Sequence, residues 1–123
     1  MGVWALTERR RSRRFEVVWP AALRCSFPNL DETVGVTVTQ ISATGARLLI
    51  ERLQVGPYNI AQRNELSTLA LAAALPAGTF EVPVIKVRWY DTDNETRFFR
   101  MGVAFAEMKG ESQLVLDRVL DSL

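Results

Sequence analysis

The stretch TVGVTVTQISATGARLLIERL, residues 33–53, constrains the fold more than any other part of the chain. Val34, Val36 and Val38 share one parity, and Thr33, Thr37 and Thr39 share the other. Period-two alternation of β-branched residues fits a half-buried strand, because a helix would scatter the valines around its circumference. The SATG at 42–45 reads as a tight turn. Residues 46–53 then return as a second strand, expected to run antiparallel to the first.

The same chemistry recurs on both sides. Residues 15–27, FEVVWPAALRCSF, are rich in strand formers. Pro20 has no N–H for a ladder, so it implies an edge position or a bulge. PNLDE at 28–32 is turn chemistry. Residues 79–91 read as strand, but their apolar parity switches between Val84 and Ile85, which predicts a bulge near Pro83. After the polar turn DTDNE, residues 97–108 alternate, with Phe99, Met101, Val103 and Phe105 facing inward. Residues 111–123 carry Leu116, Leu120 and Leu123 on one helical stripe, with Val115 and Val119 beside it. Residues 64–75 stay open: propensity and an Asn64 cap favour helix, whereas alternating Leu69, Leu71, Ala73 and Leu75 favour strand. The expectation is a mainly β domain, a small barrel or sandwich, with one amphipathic helix over an end or face.

The 123 residues suffice for one core. One cysteine and no histidine exclude an internal disulfide, a Cys/His zinc site and a histidine-based catalytic triad. This weighs against an enzyme. No apolar run approaches a membrane span, and the N-terminus lacks the order of a signal peptide, so a cytoplasmic location without membrane insertion is expected.

Net charge is only +1, yet five arginines fall within RRRSRR at 9–14. Anion binding must therefore come from local clustering. The cluster reads either as a solvated basic tail or as an arm over a ligand. Arg10 and Arg14, four apart, can grip a compact anion, and guanidinium forks suit phosphate oxygens or the O6 and N7 edge of guanine. Nucleic acid is disfavoured as partner, since no wider basic surface or evident aromatic platform accompanies the arm. QISATGARL at 40–48 is the second candidate. It reads either as a hairpin turn, with Gly45 at positive φ and Ser42 capping a backbone group, or as a ligand wall. In that second case Gly45 admits a flat ligand and Ser42 bonds its edge.

In this order and spacing, RRRSRR, a strand, a spacer and then QxSxxG resemble the PilZ domain family. That family carries R-x-x-x-R before the first barrel strand and (D/N)-x-S-x-x-G after the second. The resemblance extends over about residues 8–122, including Gly102, Val103 and Phe105 in the last strand and the closing helix. It implies a six-stranded antiparallel PilZ-like β-barrel with a C-terminal α-helix, divided as a flexible arm at 1–14 and a barrel domain at 15–123. It also implies a non-enzymatic receptor for cyclic di-GMP that signals to an unidentified effector protein. Arg9, Arg10, Arg14, Gln40, Ser42 and Gly45 are the implied ligand residues, with no further cofactor. Gln40 stands where the family has Asp or Asn, and Ala46 replaces a frequent second glycine. The alternative is a degenerate PilZ domain that binds no nucleotide and acts as a protein-interaction adaptor.

Overall fold

A computed structural model describes residues 13–62, 67–108 and 110–123. Strands β1 (Phe15–Phe27), β2 (Leu30–Ile41), β3 (Gly45–Ile50), β6 (Thr68–Leu75), β7 (Gly78–Thr92) and β8 (Phe99–Glu107) form a closed antiparallel barrel. Its order is β1-β2-β3-β8-β7-β6, and β6 closes on β1 through Ala22↔Ala72 to Ser26↔Thr68. Closure leaves no long open edge. A short hairpin, β4 (Gln54–Val55) with β5 (Tyr58–Asn59), is separate from the barrel sheet. One helix, α1 (Gly110–Ser122), follows β8.

The alternation read from the sequence is the barrel's inside–outside code. Val34, Val36 and Val38 are buried, as are Leu48, Ile50, Leu71, Phe80, Val82 and Met101. Phe80 is fully buried and meets the Phe105 ring edge-on at 5.7 Å. Truncating such a ring costs about 3–5 kcal/mol. Residues 68–75 resolve as strand, with Leu69, Leu71 and Ala73 inward. The Asn64 cap lies outside the described residues.

The prolines sit where no ladder donor is needed. Pro20 pairs across β2 with Thr37, on a part of β1 that precedes the β6 pairing. Pro83 lies in the register shift between the Leu69↔Ile85 and Leu71↔Val82 pairs, the bulge expected there. The β4–β5 turn uses Gly56 at φ 57° beside Pro57. It packs against the β1–β2 end of the barrel, with Tyr58 stacked on Phe27 at 4.1 Å and Val55 fully buried.

Helix α1 packs against β7, burying Leu116 and Val119. Ser112 Oγ accepts a hydrogen bond from the Glu81 N–H at 3.2 Å, pinning the first helical turn to the strand. The expected stripe is corrected at its end. Leu123 follows the last helical residue and is exposed, because the helix runs past the core there.

Candidate functional site

A cleft of about 270 Å³ opens where the start of β1, the end of β2, the start of β3 and the β7–β8 pair meet. Its floor is made of small residues. Gly45 lies opposite Ala104, Ala46 opposite Val103 and Arg47 opposite Gly102 in the β3–β8 ladder. Leu48, Ile50 and Met101 point into the core, so Arg47 and Gly102, of the other parity, belong to the outer face.

Gly45 is glycine for a different reason from the one expected. It is not among the positive-φ residues. A Cβ there would run into the Val103 carbonyl oxygen, which is backbone and has nowhere to go. The glycine therefore permits close approach of β3 to β8. The turn before it is braced by Ser42. Ser42 Oγ donates to the Gly45 carbonyl and accepts from the Thr44 and Gly45 N–H groups, at 3.2, 3.3 and 3.2 Å. One proton and two lone pairs are thereby engaged. The Phe105 N–H donates to the Thr44 carbonyl at 2.9 Å and ties the turn to β8.

Gln40 and Glu16 face each other across the β1–β2 ladder. Gln40 Nε2 donates to Glu16 Oε1 at 2.8 Å, and Arg47 Nη2 lies 3.5 Å from Glu16 Oε2. Arg47 Nε also donates to Thr39 Oγ1 at 3.3 Å. These contacts depend on register shifts, one between Glu16 and Trp19 on β1 and one between Val38 and Gln40 on β2. An extra residue changes side-chain parity, so Gln40 turns to the cleft, while Glu16, which does not line it, turns outward beside Gln40 and Arg47.

The opposite wall is built the same way. β7 carries an extra residue between Val87 and Trp89, and Arg88 and Trp89, neighbours in sequence, both line the cleft. The Trp89 indole lies over Gly102, where a Cβ would collide with it. Trp89 is 43% exposed, so an aromatic face stays open beside Arg88. Arg14 completes the wall, while Arg13 lies 4.9 Å over the Phe15 ring.

Of the residues expected from sequence, Arg14, Gln40, Ser42 and Gly45 thus share one cleft. Arg9 and Arg10 lie outside the described residues. Arg47, Arg88 and Trp89 were not anticipated. Arg47 had a readable signal, as an outward-parity cation directly after the turn. Arg88 and Trp89 had none, because their shared direction comes from a bulge. Three guanidinium groups, an exposed indole and a floor of small residues suit a flat, anionic, aromatic ligand.

The model of the PilZ domain matches residues 8–122. No curated protein matches the chain. Among solved structures, the Bacillus subtilis inhibitor of motility, MotI/DgrA, is similar with a TM-score of 0.65 at 19% identity, over 89% of this chain and 48% of that one. YcgR from Escherichia coli in complex with cyclic di-GMP gives 0.58 at 16% identity, over 91% and 45%. The PilZ domain of YcgR with cyclic di-GMP gives 0.50 at 16% identity, over 92% and 91%. The chain spans about half the length of the first two proteins. Among the described residues no helix is long and apolar enough to cross a membrane.

Proposed function

The chain belongs to the PilZ domain family, and on that footing we propose that it is a non-enzymatic receptor for cyclic di-GMP. The observation that carries this reading is convergence. Arg14, from the first motif, and Gln40, Ser42 and Gly45, from the second, line one cleft with Arg47, Arg88 and Trp89. Arginine forks answer the two phosphates and the guanine O6 and N7 edges, and the indole offers a stacking face. Ser42 and Gly45 contribute the shape of the turn. Arg9 and Arg10 close over the bound nucleotide, and that closure presents a new surface to an effector protein. Titration calorimetry with cyclic di-GMP tests the proposal. Wild-type protein binds at micromolar or better affinity, and Arg14→Ala abolishes the heat. No heat at high micromolar wild-type protein overturns it.

One observation favours a second reading, an adaptor that binds no nucleotide. Gln40 is neutral, where the family has Asp or Asn, and its amide already donates to Glu16. Under this reading Gln40→Asp also fails to bind. A gain of about tenfold or more in Gln40→Asp identifies instead a receptor weakened at this position.

A further inference from the structure

A guanine in this cleft presents two donors on its Watson–Crick edge, N1–H and N2–H. The three cleft arginines carry donors only and cannot answer them. The Ser42 hydroxyl is fully engaged in its turn. Thr39 Oγ1 donates to the Arg47 carbonyl and accepts from Arg47 Nε. Besides the exposed Thr44 hydroxyl, the side-chain acceptors left are Gln40 Oε1 and the carboxylate of Glu16, which does not line the cleft itself but stands at its edge against Gln40 and Arg47.

The carboxylate is the better match. Its two oxygens lie in one plane and can take two parallel N–H groups, whereas an amide offers one oxygen. It is also held in place. Gln40 Nε2 bonds Oε1 and Arg47 Nη2 faces Oε2, one donor for each oxygen. Each oxygen keeps a lone pair, and the side chain is 74% exposed. Glu16 comes from β1 but sits directly across the ladder from Gln40.

We infer that Glu16, at the edge of this cleft, reads the guanine, supplying from the neighbouring strand the carboxylate that position 40 lacks, with the lining residues Gln40 and Arg47 as its positioning residues. This rests on the cleft being a cyclic di-GMP site. The competing physical effect is repulsion, since a carboxylate beside Arg47 also opposes the ligand phosphates. The two effects predict opposite signs for the same substitution.

The test titrates wild type and Glu16→Gln with cyclic di-GMP and with its inosine analogue, which keeps N1–H and lacks the N2 amine. Glu16 is exposed, so the variant should fold as wild type does, and a thermal melt checks this. Wild type should prefer the guanine ligand by about fivefold or more, and Glu16→Gln should weaken cyclic di-GMP binding by about tenfold or more. The preference for guanine over hypoxanthine should fall towards one in the variant. Equal or tighter binding of cyclic di-GMP by Glu16→Gln, or an unchanged preference, overturns the inference while leaving the receptor reading intact. Absence of wild-type binding removes the receptor reading and this inference with it.

Discussion

Replacing three glycines by alanine should give three different outcomes, each set by what a new Cβ would meet. At Gly45 it meets the Val103 carbonyl oxygen, and Val103 is paired in the same ladder that ties Thr44 to Phe105. Relief requires β3 and β8 to separate, so the cost is that of overpacking with a backbone shift, about 2–3 kcal/mol. For a domain of this size that lowers the melting temperature by roughly 6–15 °C. At Gly102 the added methyl meets the Trp89 side chain instead. That indole is partly exposed and can swing outward, so the cost is about 1 kcal/mol, with a red shift in tryptophan emission. At Gly35 nothing lies within 4 Å. Alanine there restricts the unfolded chain and should raise stability by about 0.5 kcal/mol. Urea melts followed by circular dichroism give the three values. A Gly45→Ala protein within 0.5 kcal/mol of wild type, or one less destabilised than Gly102→Ala, would refute the close-approach account of the turn.

Burial pushes the Cys25 thiol up to about 11, with Glu32 adding to the effect. The folded state therefore holds this proton more tightly than the unfolded chain, and the associated stability, complete below about pH 9, is lost as pH rises towards 11. Alkylation of native protein at pH 8.5 should be at least about a hundredfold slower than in urea; equal rates would contradict the burial. Ser42→Ala strips acceptors from the Thr44 and Gly45 N–H groups and should cost about 1–2 kcal/mol, with the main amide-proton shifts in residues 42–45. Unshifted resonances there would refute the bracing role. Asp91→Ala breaks the paired bonds from Arg100, at 2.8 and 2.7 Å, on an exposed surface. It should leave the urea midpoint almost unchanged, the more so at high salt, and a clear urea shift would show unexpected coupling.

Period-two patterning carried most of the fold, because a barrel buries one parity of each strand. Even the bulge at Pro83 was visible as a parity switch, since both halves of the strand bury apolar residues. The bulge at Arg88 was invisible because it lies among side chains of the outer face, where no burial pattern records it. Residues 68–75 were ambiguous for a related reason. Their alanines favour helix locally, and the strand is selected by pairing with β1 and β7, contacts remote in sequence. In the cleft, Arg14 and the 40–45 turn were legible as spaced motifs. Trp89 became a neighbour of those motifs only through cross-strand register, and Glu16 and Arg47, each two residues from a motif in sequence, were brought together beside Gln40 in the same way.

Cleft and core occupy opposite faces of the same strands. Gln40 and Arg47 are flanked in sequence by Ile41 and Leu48, which are fully buried. Gly45 and Gly102 apart, where a Cβ would collide, substitutions on the outer parity leave the packing that holds the barrel together almost untouched. A lineage can therefore rewrite ligand preference one side chain at a time, losing and regaining affinity without passing through an unfolded intermediate.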